Sequence, residues 1–281
     1  MIDIILEALL DALKIVPFLF ITFFILEFLE HKLNKKTEKV LLKYKKFGPI
    51  VGGLLGAIPQ CGFGAMATSL FSNRVITIGT VVAIFLSTSD EMLPIMLGHK
   101  TNIGVILGIL GFKALIGIII GLIVDILFRK KGYVKEHIHI NDMCEDENCH
   151  CEEEGIFKSS LIHTLKITGF ILLANLVINF IVFFVGEEQL AKILMNNNIF
   201  TYFIASLVGL IPNCVSSVVI TELYLSNLIS LGTMFAGLLT GSGLGILLLF
   251  KVNKNLKENI SVLSIIYFVG VIVGILVDLI I

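Results

Sequence analysis

Apolar residues fall in eight runs: about Ile4 to Leu29, Gly48 to Ser72, Val75 to Leu97, Ile103 to Phe128, Phe157 to Val185, Ile199 to Leu225, Leu228 to Phe250 and Ile260 to Ile281. Each is long enough to enter a bilayer, whose hydrocarbon core takes about 20 helical residues. Two of the runs are punctuated alike. GAIPQCGFGA, Gly56 to Ala65, and GLIPNCVSSV, Gly209 to Val218, each place a proline, an amide and a cysteine in consecutive positions. Proline removes a backbone donor and clashes with the turn before it, so both runs are predicted to be interrupted there. Inside a bilayer, freed backbone groups are tolerated only where protein or water satisfies them, which makes a broken helix at mid-depth a candidate transport site.

Everything on either side of a polar insert repeats. Leu54 to Ser89 aligns with Leu207 to Ser242 at a constant offset of 153, with 13 identities in 36 positions and no gap. Among them are Gly56/Gly209, Pro59/Pro212, Cys61/Cys214, Thr68/Thr221, Gly79/Gly232 and Thr80/Thr233. The first runs agree at offset 152, with LKI at Leu13 to Ile15 facing LKI at Leu165 to Ile167. The last runs of each half agree too, GLIVD ending at Asp125 and GILVD at Asp278. The chain is therefore a duplicated unit: residues 1-128 form the first membrane repeat, 129-156 the insert and 157-281 the second repeat.

Lysines and arginines decide the orientation of the two units. If all eight runs cross, the loop cations divide 12 to 6 between the two sides; if the two Pro-Cys runs are re-entrant hairpins, they divide 16 to 2. The second division fits the positive-inside rule far better. Each unit then has three full crossings plus one broken-helix hairpin. That is an odd number, so the second unit is inverted relative to the first. The fold class expected is an all-α polytopic membrane protein of two inverted-topology repeats. Its N-terminus lies outside, and the insert, the lysine-rich loop Lys32 to Lys46 and the Lys251 to Lys257 loop are cytoplasmic. The first run is flanked by Asp3, Glu7 and Asp11 rather than by basic residues, so it reads as a retained helix and not a secretory signal.

Composition agrees. With 56% hydrophobic residues, 15% charged and a mean hydropathy of +0.97, the chain is an integral membrane protein whose partner is the lipid bilayer. A net charge of −1 points to no nucleic acid. Five cysteines, two in apolar runs and three in one polar loop, argue against a disulfide framework and for thiols kept reduced or used as ligands.

The candidate chemistry gathers at four places. The hairpin tips offer Gln60 and Cys61, and Asn213 and Cys214, an amide oxygen beside a thiol in each half. The run after each hairpin carries a second irregularity, FLSTSDEMLP from Phe85 and LLTGSGLGIL from Leu238. Ser87, Thr88, Ser89, Asp90 and Glu91 are the most polar cluster in any apolar run, and Thr240 and Ser242 are their counterparts. A carboxylate near a helix centre costs about 2.5–3.5 kcal/mol on insertion scales, tolerated where it faces a partner or a wet cavity. With no basic residue beside them in the chain, Asp90 and Glu91 call for a cation, a metal ion or protons. The insert adds His137, His139, Cys144, Cys149, His150 and Cys151 among carboxylates, in no structural-zinc spacing, and is read as an unfolded acidic linker or an accessory metal-capture segment. Glu222 lies at the outer mouth or in the path, Lys14 and Lys166 snorkel or pair with a carboxylate such as Glu27, and Asp125 and Asp278 at helix ends are structural.

IPQCGF with STSDE, IPNC with TGSGLG and a His/acid-rich central loop resemble the heavy-metal exporter family described as having ten transmembrane segments, whose members are called arsenic efflux proteins or manganese transporters. The ten segments would correspond to six crossings plus four half-helices. The resemblance implies export of a divalent cation such as manganese, or of an arsenic species, across the cytoplasmic membrane. On this reading the two cysteines face each other where the hairpin tips meet, the acidic pair supplies charge and carries counter-transported protons, and the ion is bound transiently without any other cofactor. No phosphate-binding Gly-Lys loop is present to couple ATP. A carrier for a small organic solute or anion and an intramembrane enzyme are the alternatives; homo-oligomerisation is left open.

Overall fold

A computed structural model describes residues 16–17, 19–25, 47–58, 62–89, 92–130, 156–185, 194 and 198–280. All regular structure among them is helical, in eleven helices besides the helical residues between 16 and 25: α1 Gly48–Gly56, α2 Gly62–Ser72, α3 Ile78–Ser87, α4 Met92–Gly98, α5 Ile103–Lys130, α6 Ile156–Val185, α7 Phe200–Gly209, α8 Cys214–Leu225, α9 Leu231–Thr240, α10 Leu244–Val252 and α11 Leu256–Ile280. Each Pro-Cys run is two helices rather than one, α1 and α2 in the first and α7 and α8 in the second. The runs that follow are split as well, α3 from α4 and α9 from α10. The stretches Ile78–Gly98, Ile103–Phe128, Leu231–Val252 and Leu256–Ile280 are long and apolar enough to cross a membrane, and the protein is a multi-pass membrane protein.

Two helices form the centre. Every residue of α3 is buried, and in α9 every residue after Leu231. The long helices α5 and α11 cover them and turn rows of large apolar side chains outward, Leu107, Leu115, Ile119 and Ile126 on one and Ile260, Phe268, Ile272 and Leu276 on the other. Such faces suit lipid, in which no water is available to penalise them.

Glycine stripes fix the contacts. A methyl added at Gly117 would lie 2.7 Å from the Ala83 carbonyl oxygen, and one at Gly121 2.5 Å from that of Gly79. The corresponding Gly270 and Gly274 sit 2.8 Å and 2.7 Å, by the same measure, from the carbonyl oxygens of Ala236 and Gly232. Small residues four apart let backbones approach closely, the usual basis of helix association where the hydrophobic effect is missing.

The starts of the central helices are capped in matching ways. Thr77 accepts the Thr80 N–H at 3.2 Å ahead of α3, and Ser230 accepts the Thr233 N–H at 3.1 Å ahead of α9. Asp125, near the end of α5, accepts the Gly79 N–H at 2.8 Å and the Thr77 hydroxyl at 2.7 Å. Asp278 of α11 accepts the Gly232 N–H at 2.7 Å and the hydroxyls of Ser230 and Tyr202. A carboxylate on orphaned N–H groups and on the positive end of a helix is well placed electrostatically. The two acids are thus structural as expected, serving helices 46 residues away in sequence.

The halves also grip each other. Thr68 of α2 donates to the Gly245 carbonyl and Ser72 to that of Val252, each at 3.0 Å, so α2 lies on α10. Arg74 continues this seam with a 2.7 Å ion pair to Glu258. Between α4 and α8, His99 meets Glu222 at 3.2 Å. Glu222 is 45% exposed there, at a surface and not in the interior.

Candidate functional site

The breaks and the two Pro-Cys runs are tied together by contact. Gly56, the last residue of α1, abuts Ser87 so closely that an added methyl would fall 2.2 Å from the hydroxyl; Gly209 meets Thr240 at the same 2.2 Å. The segment leading into each Pro-Cys tip is therefore pressed against the last turn of the central helix of its own half. Gly64, in the first turn of α2, borders the Ser242 carbonyl oxygen of the other half, 3.4 Å from where its methyl would be. Gly241 faces the Ser217 hydroxyl of α8 at 3.2 Å by the same measure.

At the first break the hydroxyls turn back on the backbone. Ser87 donates to the carbonyls of Ala83 and Ile84 at 2.8 and 3.0 Å, Thr88 to Ile84 at 2.7 Å and Ser89 to Ser87 at 3.3 Å. All three are buried. Their protons are used inward, which leaves oxygen lone pairs for an incoming cation. At the second break Thr240 donates to Ala236 at 3.2 Å and Gly237 at 2.8 Å. Ser242, 3% exposed, has no hydrogen-bond partner for its hydroxyl among the described residues. Backbone dihedrals release carbonyls here: Gly241 adopts φ −70°, ψ 80°, and Gly243 φ 52°, ψ −141°, a conformation open in practice to glycine alone.

Sequence reasoning missed the residue at the centre of this arrangement. Lys113 of α5 is fully buried, and its ammonium donates to the carbonyl of Thr88 at the first break and, at 2.8 Å, to that of Leu238 two residues before the end of α9. A lysine inside the membrane is tolerated when carbonyls or carboxylates receive it. The neighbours of Asp90 and Glu91 in the chain offer no cation, but the fold brings one to Thr88, two residues before Asp90. The signal was present: at offset 153 Lys113 faces Ile266, a charged residue set against an apolar one within an apolar run.

In the second Pro-Cys run, Asn213 is 3% exposed and caps α8, its side-chain oxygen accepting the Val215 N–H at 3.4 Å. Cys214, the first residue of α8, is half-buried. Gln60, Cys61, Asp90 and Glu91, and His137, His139, Cys144, Cys149, His150 and Cys151 of the insert, lie outside the described residues. Among the described residues no three His, Cys, Asp or Glu side chains cluster as metal ligands would. His163 of α6 is 2% exposed and stacks on Phe23, 5.7 Å between ring centres. A separate recess of about 570 Å³ beside the start of α9 is lined by Tyr202, Ser230, Thr233 and Asp278, whose carboxylate is taken up by capping.

The family model described as "Putative, 10TM heavy-metal exporter" matches residues 1–187 and 163–281. The chain belongs to this family. Its two matched segments together span the whole chain and meet in the sixth helix. No curated protein and no solved structure matches it. The family's description makes this a membrane protein of the heavy-metal exporter kind and speaks for a carrier rather than a catalyst.

Proposed function

We propose that the protein is a secondary carrier that exports a heavy-metal or metalloid ion across the cytoplasmic membrane by alternating access. The ion would be held where the hairpin tips meet the two breaks, by Gln60, Cys61, Ser87, Thr88, Ser89, Asp90, Glu91, Asn213, Cys214, Thr240 and Ser242. One observation carries the reading: Lys113 joins a carbonyl at the first break to one near the second, so polar, unwound backbone from both halves converges on a charged group in the membrane interior. Two carboxylates against one ammonium leave a net negative site suited to a cation. Protons returning on Asp90 and Glu91 would drive the exchange. Oxygen ligands dominate in this list, which favours manganese or a similar divalent ion over arsenite or zinc. The insert would collect metal on the cytoplasmic side without being essential.

Support for inverted repeats comes from the loop charges and from helix length. The half-helices α1, α2, α7 and α8 have 9, 11, 10 and 12 residues. At ~1.5 Å per residue each covers roughly half of a ~30 Å hydrocarbon core. Cysteines introduced at the exposed positions Lys100 and Lys254, in a background lacking native cysteines, should react with an impermeant maleimide from opposite sides; reaction from one side would mean that all eight runs cross.

The substrate test is metal efflux from vesicles carrying wild type or the Asp90→Asn, Glu91→Gln double variant. Loss of manganese flux with correct insertion supports the site, and full transport of every metal tested overturns it. Replacing Cys61 and Cys214 by Ser should spare manganese; loss of arsenite or zinc flux alone would show that thiols select the ion. A carrier of an anion is the second reading, favoured by the buried Lys113 ammonium. It predicts that flux of an oxyanion survives the acidic-pair substitutions and fails when Lys113 is neutralised.

A further inference from the structure

At offset 153 α2 corresponds to α8 and α4 to α10, so the two seams between the halves, α2 with α10 and α8 with α4, are counterparts. They are not built alike. α2 and α10 both start at the breaks, where a methyl on Gly245 would lie 3.1 Å from the Gly64 carbonyl carbon. They are then bonded from Thr68 to Gly245 and from Ser72 to Val252, and beyond their far ends Arg74 pairs with Glu258 at 2.7 Å. The other seam replaces each of these devices. Gly64 and Gly245 become Ser217 and Met92, Ser72 becomes Leu225, and Arg74 and Glu258 become Asn227 and Val105. Thr221 stands where Thr68 does, but donates to Ser217 of its own helix at 2.7 Å. The tie between α4 and α8 is His99 with Glu222, whose side chains are 50% and 45% exposed, and exposed pairs of this kind contribute little.

We propose that Arg74 and Glu258 form the latch of a gate: the molecule rests closed along α2 and α10, and separating this pair is the step that opens that seam and exposes the breaks behind it. The carboxylate is prepared for the guanidinium. Glu258 is 6% exposed and accepts from Asn253 at 3.3 Å, while Asn253 also donates to the Asn259 side chain at 2.7 Å and its carbonyl accepts from Asn259 at 2.9 Å. The guanidinium is placed at some cost. Arg74 holds φ 60°, a left-handed conformation that an arginine seldom takes, whereas the matching turn has Asn227 at φ 57°, a residue type that tolerates it. The ion pair is made only when the helices from the two halves are together, so it biases the balance between closed and open states. Removing one partner of a buried pair is far more costly than loosening an exposed one, which makes α2 with α10 the firmer closure and α4 with α8 the lighter. The inference rests on reading the chain as a carrier with alternating access, whose two closures these seams would be.

The test uses purified full-length protein in detergent, where both faces are reachable and the result does not depend on orientation. A single cysteine replaces Val252 in the first seam or Leu225 in the second, both partly buried, in a background lacking native cysteines, and its rate of reaction with a maleimide is measured well below the unfolding temperature. Glu258→Gln removes the charge but keeps the shape and an oxygen for Asn253. It should raise the rate at position 252 about fivefold or more and leave the rate at 225 unchanged. Arg74→Gln should give the same selective rise from the other partner, so the outcome does not hang on one variant folding, and Arg74→Lys, which keeps the charge, should stay near the parent rate. Glu222→Gln should change the rate at 225 by no more than about twofold. An unchanged rate at 252 without the latch charge, an equal rise at both positions, or a larger effect of Glu222→Gln at 225 than of Glu258→Gln at 252 overturns the proposal. These rates need no metal flux, so a failure of metal efflux leaves the latch standing, and a failure here leaves the efflux reading standing.

Discussion

The breaks after α3 and after α9 descend from one pattern and now differ in chemistry. The first has a threonine at its turn, internally bonded hydroxyls and a lysine from α5 that also reaches Leu238 of α9; the second has Gly241 and Gly243, a serine whose hydroxyl has no partner among the described residues, and an isoleucine at the lysine's matching position. The scaffold under them has not diverged: caps, glycine stripes and the acidic residues of α5 and α11 hold to the same offset. Duplication thus kept what positions the helices and relaxed what fills the site. Lys113, which reaches Thr88 at the first break and Leu238 near the end of α9, has no lysine counterpart in the second half, so the two halves are unequal in charge.

The severest way to break this comparison is to make the first half like the second. Lys113→Ile leaves the Thr88 and Leu238 carbonyls without their donor, about 1–3 kcal/mol for each such buried group. We expect a lower unfolding midpoint and metal flux reduced more than tenfold. Exchanging the two residues, Lys113→Ile with Ile266→Lys, should recover part of the flux if the halves are interchangeable. Flux through Lys113→Ile equal to wild type would show that the ammonium has no part in the site.

A smaller effect is expected where the halves agree. Gly121→Val and Gly274→Val each push a side chain against the carbonyl of Gly79 or Gly232, and overpacking of this kind costs about 1–3 kcal/mol. The two variants should lose similar amounts of stability, measured as unfolding midpoints under identical conditions. A large disparity would mean that the glycine stripes are not equivalent and that the shared frame extends less far than the contacts suggest.

How much could be read from the chain follows from what a membrane enforces. Apolar runs, the interruption at the Pro-Cys motifs and the polar second breaks are legible because lipid tolerates neither unpaired backbone nor stray charge, so each deviation stands out. The partnering of helices was not legible: Asp125 and Asp278 sit at the ends of long helices, and nothing in their neighbourhood says that each caps the start of another. Lys113 escaped for a related reason. Orientation is argued from loop cations, which pass over a lysine inside a run, and its role depends on Thr88 and Leu238, 25 and 125 residues away. Asn213 is read from the motif as a ligand, whereas in the structure its oxygen caps the start of α8, a use that the motif alone cannot separate from ligation.

The finest difference between the halves lies at the caps. Both carboxylates accept an N–H and a hydroxyl at a helix start, those of Gly79 and Thr77 for Asp125 and those of Gly232 and Ser230 for Asp278, and Asp278 also accepts from the Tyr202 hydroxyl at 2.8 Å. Tyr202 corresponds to Pro49, which has no side-chain donor, so the extra bond belongs to the second half alone. Hydrogen bonds to a charged acceptor contribute about 1.5–3 kcal/mol, and partial exposure puts this one at the low end. Asp278→Asn should therefore cost more in the wild type than in a Tyr202→Phe background by roughly that amount. Asp125→Asn, at the cap of the other half, should cost the same in either background to within about 0.5 kcal/mol, the tolerance expected of independent sites. If the cost of Asp278→Asn were unchanged without the hydroxyl, this bond would contribute nothing to the second cap.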